Sequence, residues 1–263
     1  MSTTDTTATT ATPATTATTA TPATTATPAT IPKTRLEPIT FTMPTKTIFN
    51  DLKTKLGDDC FTIGECYQNG NGVGKNLTKA VKYYAIAAGE NNSRAQFKLG
   101  YCYSNGNGIF QNKSVAFKYF KLAADQGNTD AQYHLGIYYS TGYNFLPKDE
   151  AEAFRYFKLA ADKDHIYAQY TIGNCYENGK GINKDQKQAF HYHKLSADKG
   201  YANAQYVMGN YYSNVLYVIH DEKEALRYYK LAANQGHAES KLNLDMYYGS
   251  STAESTPKRV KLN

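Results

Sequence analysis

Apolar and polar residues along this chain follow a helical period that restarts about every 36 residues. In Ala131 to Thr141, AQYHLGIYYST, the apolar positions Ala131, Leu135, Tyr138 and Tyr139 have the spacing of one helix face. We term this predicted element helix A. A glycine-containing turn ends it, as in Asn69-Gly70-Asn71-Gly72, Asn105-Gly106-Asn107-Gly108 and Asn178-Gly179-Lys180-Gly181. Asn and Gly both tolerate the left-handed backbone that terminates a helix. C-capping therefore explains Asn69, Asn105 and Asn178 better than peptide binding does; Asn214 holds the same place without a following glycine. A second predicted helix, B, starts after a capping residue four positions before an alanine: Asn76, Asn112, Asp149, Asp185 and Asp221. Glu152, Gln188 and Glu224 lie three residues after their caps, which predicts capping boxes. Helix B is expected to end near Gly127, Gly200 or Gly236.

The two-helix unit recurs five times. Glycine returns at Gly64, Gly100, Gly136, Gly173 and Gly209, in steps of 36, 36, 37 and 36. Tyrosine follows three residues later each time, from Tyr67 to Tyr212. Helix B carries an aromatic pair, from Tyr83-Tyr84 to Tyr228-Tyr229, and then Ala87-Ala88, Ala123-Ala124, Ala160-Ala161, Ser196-Ala197 and Ala232-Ala233. Glycine on helix A and paired alanine on helix B let the two helices approach closely, and tyrosine fills the remaining space. One hairpin cannot bury its apolar face alone, so the units must stack into an extended array.

This divides the chain into a Thr/Ala/Pro-rich tail over 1–44, an array over 45–249 and a basic tail over 250–263. The repeats fall near 58–93, 94–129, 130–166, 167–202 and 203–238, with a capping helix over 239–249 in which Asp245 replaces the glycine. Thr47–Leu56 is an expected incomplete opening helix. Residues 2 to 30 hold almost no large apolar side chain, so they are expected to be disordered. Two turns break the pattern: Tyr143–Pro147 and Val215–Ile219 are apolar, and either tuck under the next helix or form a contact edge.

The columns A-x-x-x-L-G-x-x-Y-x-x-G-x-G-V and A-x-x-Y-x-x-x-A-A resemble the Sel-one-like repeat family, a relative of the tetratricopeptide repeats. Ala95 to Tyr103, Gly106-Asn107-Gly108-Ile109, Ala116 to Tyr119 and Ala123-Ala124 carry the match in one copy, and it covers about 58–249. The resemblance implies an all-α, right-handed superhelical solenoid acting as a protein-interaction adaptor, with helix A lining the concave side.

A partner is read by positions that the scaffold leaves free to vary. Six before, two before and one after the glycine share one face of helix A. They read Arg94, Lys98 and Tyr101; Asp130, His134 and Ile137; Tyr167, Thr171 and Asn174; Asn203, Val207 and Asn210. This face is the candidate site for a partner protein or extended peptide. Helix B offers a second column, a basic stripe of Lys82, Lys118, Arg155, His191 and Arg227 with Lys121, Lys158, Lys194 and Lys230. The stripe either tracks phosphates, the nucleic-acid alternative, or is a solvated face pairing with Glu or Asp one turn away. A regulatory subunit of a separate kinase or synthase is a further alternative.

Net charge is +6, and Lys258, Arg259 and Lys261 supply half of it. Pro257-Lys258-Arg259-Val260-Lys261 looks like a short nuclear import signal for an import receptor. Thr256-Pro257 beside it fits a proline-directed kinase site, where a phosphate would oppose the basic cluster. The N-terminus shows no basic segment followed by an apolar run, and no stretch approaches a membrane span. The expectation is an intracellular, monomeric protein, nuclear if the basic end is used. Asn76, Asn91 and Asn112 lie in glycosylation sequons, which are then coincidental. Cys60, Cys66, Cys102 and Cys175 are expected to be reduced core residues, because neighbouring helices pack about 8–10 Å apart and a disulfide needs Cα atoms within about 7 Å. No catalytic, cofactor or metal constellation is legible. His191 and His193 point to different helix faces, and His193 replaces an aromatic as a half-buried substitute.

Overall fold

Helix follows helix throughout the residues described in the computed structural model, 59–214 and 221–254, with side chains described as far as Met246. Repeat one comprises α1 (Cys60–Asn69) and α2 (Leu77–Gly89), and repeat two α3 (Ser93–Asn105) and α4 (Lys113–Asp125). Then come α5 (Thr129–Thr141) with α6 (Glu150–Ala161), α7 (Ile166–Asn178) with α8 (Gln186–Asp198), and α9 (Ala202–Ser213) with α10 (Glu222–Ala233). A lone α11 (Ala238–Glu254) follows and runs past the tail boundary drawn at 250. Each helix packs mainly on the one before and the one after, so the array is an all-α solenoid. Thr47–Leu56, the Thr/Ala/Pro tail, the Val215–Ile219 turn, Thr256 and the basic motif Lys258-Arg259-Val260-Lys261 lie outside the described residues.

The helix ends are built as the residue types require, with one difference. Asn76, Asn112, Asp149, Asp185 and Asp221 each accept the backbone N–H three residues on. Gly70, Gly106 and Gly179 close α1, α3 and α7 with φ of 84°, 75° and 74°. The capping boxes are only half made. The N-cap N–H that Glu152 or Glu224 should accept is already given to a carbonyl of the preceding helix, Asp149 to Tyr139 and Asp221 to Tyr212 at 2.9 and 3.1 Å. The two carboxylates turn instead to Arg155 and Arg227. The preceding hairpin turn brings that tyrosine carbonyl to the cap, so tertiary contact overrides the local motif.

Inside each repeat the glycine lies under the second ring of the aromatic pair. A Cβ on Gly64, Gly100, Gly136, Gly173 or Gly209 would meet Tyr84, Phe120, Phe157, His193 or Tyr229 at 2.5 to 2.9 Å. The first ring of the pair stacks on the repeat tyrosine: Tyr67 on Tyr83, Tyr103 on Tyr119, Tyr139 on Tyr156, Tyr176 on Tyr192 and Tyr212 on Tyr228, with centroids 5.6–5.9 Å apart. Such a pair contributes about 0.5–1.5 kcal/mol beyond its buried area. His193 is 0 % exposed and so is a fully buried ring rather than a half-buried one.

Between repeats a column of glutamines, which the sequence reading passed over, acts as a clamp. Gln96, Gln132, Gln169 and Gln205 are buried, and each Nε2 donates to the carbonyl of Ala88, Ala124, Ala161 or Ala197 at 3.2–3.4 Å. Each bond ties a helix A to the C-terminal end of the helix B before it. The Tyr143–Pro147 turn packs back on the preceding helices rather than under the next one: Tyr143 and Leu146 exchange backbone hydrogen bonds, and the Tyr143 and Phe145 rings lie 4.9 Å from Tyr138 and 6.1 Å from Phe117 respectively.

Candidate functional site

The helix A face is positioned by the glycine column, since the side of helix A that carries the glycine is fixed against helix B. Of the twelve candidate residues only Arg94, Tyr101, Asp130 and Tyr167 are exposed; the other eight are half-buried because neighbouring repeats overlap them. The Arg94 guanidinium lies 4.3 Å from the Phe61 ring centre and 3.8 Å from Glu65, which Lys98 also approaches at 3.5 Å. Tyr101, 41 % exposed, meets His134 edge to face at 5.8 Å. Asp130 lies 3.3 Å from His165 Nε2, and that hydrogen bond holds its carboxyl below the usual carboxylate range.

His134 departs most from expectation. Instead of reaching for a partner it stacks on Phe120 at 5.0 Å and 16°, with Phe97 at 5.5 Å and Tyr133 at 6.0 Å. Burial among these rings pushes the imidazole down to about 4, so it is neutral at physiological pH. Ile137 and Val207 likewise pack inward, against the interior clusters. Tyr167 is 53 % exposed and touches Tyr133, His165 and Tyr201. Thr171 donates its hydroxyl to the Tyr167 carbonyl at 2.8 Å. Asn174 sits in a cleft between repeats three and four. Asn203 donates to the Tyr201 hydroxyl at 2.9 Å, and Asn210 accepts from Tyr229 at 2.8 Å.

A feature missing from the sequence reading underlies all of this. Three residues before each glycine stands a ring: Phe61, Phe97, Tyr133, Tyr170 and Tyr206. Each packs on the helix B ring of its own repeat at 5.4–6.1 Å. Four of them also meet a ring on, or at the start of, the next odd-numbered helix: Phe97 meets His134, Tyr133 meets His165, Tyr170 meets Tyr201 and Tyr206 meets His237, at 4.7–5.5 Å. The candidate residues therefore stand on a ladder of aromatics. The signal was present as the ring after each Ala-Gln pair.

Besides one of ≈ 560 Å³ at the last repeat, lined by Asn203, Tyr206, Val207 and His237, two clefts open on this face. One, of ≈ 470 Å³, is lined by Phe97, Lys98, Tyr101, Cys102 and Lys75. The other, of ≈ 380 Å³, has Ile137, Thr171, Asn174, Cys175, Lys148 and Lys180 around it. Burial pushes both thiols up to about 11, so they are neutral parts of the cleft walls. None of the four cysteines forms a disulfide. Among the described residues no three His, Cys, Asp or Glu side chains converge as a metal ion needs.

The helix B stripe is of another kind. Arg155 forms a two-pronged pair with Glu152 and lies 4.2 Å from the Tyr156 ring centre; Arg227 repeats this with Glu224 and Tyr228. Lys158 pairs with Asp162 at 2.5 Å and Lys194 with Asp198 at 2.9 Å. Much of the stripe is thus neutralised on its own helix, while Lys82, Lys118 and Lys121 have no ion pair among the described residues.

Comparison with known proteins agrees with this architecture. The Sel1 repeat family model matches residues 57–92, 93–128, 129–165, 166–201 and 202–237, each one residue ahead of the divisions drawn from the glycines. A Sel1 repeat protein from Oxalobacter formigenes superposes with a TM-score of 0.69 at 33% identity, covering 76% of this chain and 81% of that one. A protective antigen of uropathogenic Escherichia coli with an SLR fold gives 0.65 at 26% identity, over 72% of this chain and 40% of that one. No curated protein matches the chain.

Proposed function

The chain belongs to the Sel1 repeat family, and from that premise we propose that it is a non-enzymatic scaffold that binds a partner protein or extended peptide along the helix A face. Sel1 repeat proteins generally act as protein-interaction scaffolds. The observation that supports this face is its division of labour. The aromatic ladder is common to all five repeats, while the residues standing on it change from Arg94 and Lys98 to Asp130 and then to Tyr167. A rigid base with changing side chains is what sequence-selective recognition requires.

The test is the double variant Arg94→Glu with Lys98→Glu, assayed by affinity purification and mass spectrometry from cells. Arg94 is exposed and Lys98 half-buried at a cleft rim, both outside the packed core and beside Glu65, so the array should keep its helical circular dichroism while losing partners at least tenfold. An unchanged partner list removes this face from consideration. The nucleic-acid alternative is less favoured because Arg155, Lys158, Lys194 and Arg227 already have acidic partners; a gel shift that weakens steeply with salt would revive it. The basic end at Lys258, Arg259 and Lys261 is the proposed import address, and a reporter carrying 250–263 that stays cytoplasmic discards it.

A further inference from the structure

We propose that the helix A face takes an acidic, extended peptide that seats one apolar side chain in each of the two clefts, between repeats one and two and between repeats three and four. This rests on the peptide-binding reading above and specifies the ligand.

The two clefts are the same place in different repeats. Cys102 and Cys175 both follow the repeat glycine by two residues, and Lys75 and Lys148 both immediately precede a helix B cap. Where the steps are closed, tyrosine replaces the cysteine. Tyr138 is 2 % exposed and reaches Ser104 Oγ at 3.0 Å, which is the rim position held by Gln68 and Ser140 at the open steps. Tyr211 is 3 % exposed and lies 3.5 Å from Gln186 Oε1, the rim position of Leu77 and Glu150. The phenol ring occupies at the second and fourth steps the space that the thiol leaves open at the first and third. The result is an alternation of filled and open steps along one face.

The walls and rims state what fits. Ala80, Phe97 and Cys102 form an apolar wall in one cleft, and Ile137, Ala153, Phe157 and Cys175 do so in the other. Lys75 and Lys98 stand at the first rim, where Lys98 lies 3.5 Å from Glu65, and Lys148 and Lys180 at the second, where Lys148 pairs with Glu150 at 2.7 Å, so each rim keeps one lysine with no ion pair among the described residues. An apolar wall under a cationic rim selects an aliphatic side chain flanked by carboxylates. Helices A of successive repeats lie side by side, as Arg94 over Phe61 and Phe97 against His134 show, and packed helices are roughly 10 Å apart, so two repeats span about 20 Å. An extended chain rises about 3.3 Å per residue, which puts the two anchors about six residues apart.

The probe is a fluorescein-labelled peptide of eleven residues, made of Asp, Glu and Ser with two leucines six residues apart, titrated with the full chain by fluorescence anisotropy. The two-leucine peptide should bind at least tenfold tighter than either single-leucine version, and tighter than one with its leucines three apart. Cys102→Tyr or Cys175→Tyr should each reduce its affinity to that of a single-leucine peptide, because the ring fills the cleft as it does at Tyr138 and Tyr211. Lys75→Glu with Lys148→Glu, both at solvent-facing sites, should weaken it about tenfold without touching the core. Thermal melts establish that each variant is folded. Absence of probe binding, equal affinity of one- and two-leucine peptides, or indifference to both tyrosine variants overturns the proposal. Loss of cellular partners in the Arg94→Glu, Lys98→Glu protein would in that event leave the scaffold reading standing on its own.

Discussion

The step between repeats two and three and the step between repeats three and four use the same frame but end differently. Gly136 and Gly173 each lie against a ring of helix B, and Gln132 and Gln169 each clamp the helix before. At the earlier step Tyr138 fills the interface and His134 stacks into it; at the later one Cys175 and Thr171 hold the same positions and a cleft remains. The difference teaches that the glycine, ring and glutamine columns carry the stacking. The position two after the glycine is then free to fill space or to leave it. Recognition can be written into a solenoid by one side chain per step without disturbing its backbone.

The largest way to break this comparison is Tyr138→Ala. The ring is buried among Phe117, Phe120 and Tyr143, so its removal leaves a cavity and takes one donor from the Ser104 hydroxyl, which keeps Lys113 Nζ at 3.1 Å. Urea unfolding should show a loss of about 3–5 kcal/mol, as for large aromatic truncations. Cys175→Ala removes one sulfur from a site already next to open space and should cost about 1 kcal/mol. Similar losses for the two would mean that the steps do not differ as described.

Acid should separate the steps next. His134 has an ordinary value of 6.5 and is held at about 4 in the folded chain, chiefly by burial. Asp130 opposes that shift, while His165 and Lys113 assist it. The unfolded chain therefore binds the proton first. The stability is fully present above pH 6.5 and falls as the pH drops toward 4, by about 1.4 kcal/mol at pH 5.5 and about 3 kcal/mol at pH 4. His134→Phe keeps a ring against Phe120 and should flatten that part of the stability profile between pH 4 and 6.5. A profile unchanged by the substitution would show that His134 is not the titrating group. Thr171, the equivalent at the open step, cannot titrate, so the His134 part of the acid sensitivity belongs to the closed step.

Much of the frame was legible. Five glycines at a near-constant step, alanine pairs and Asn or Asp caps announce their own repeat, because each column answers one fixed backbone demand. The site was legible only in part, since helix geometry places residues on a face without saying how deeply the next repeat covers it. His134 reads as a recognition residue because Lys98, Thr171 and Val207 stand in its column; only the neighbouring Phe97 and Phe120 make it a packing ring. The ring three before each glycine and the glutamine before it were visible as columns. They were missed for opposite reasons, the ring because other aromatics already explained the core and the glutamine because a polar side chain suggests solvent.

The glutamine clamp sharpens the comparison with the smallest effect. Gln132→Leu and Gln169→Leu each remove an Nε2 donor from a buried carbonyl, Ala124 at 3.4 Å and Ala161 at 3.3 Å. Those carbonyls are not left alone, since Ala124 also accepts from the Gly127 N–H at 2.8 Å and Ala161 from Asp164 at 3.0 Å. Leucine fills similar space, so each loss should be only about 1 kcal/mol; the second Gln169 Nε2 bond, to Asp164 Oδ1, is long at 3.4 Å and adds little. Equal losses in urea midpoints are expected, because the clamp belongs to the frame that both steps share. A clearly larger loss at Gln169 than at Gln132 would mean that the cleft has weakened the stacking around it, and the frame would no longer be independent of what fills it.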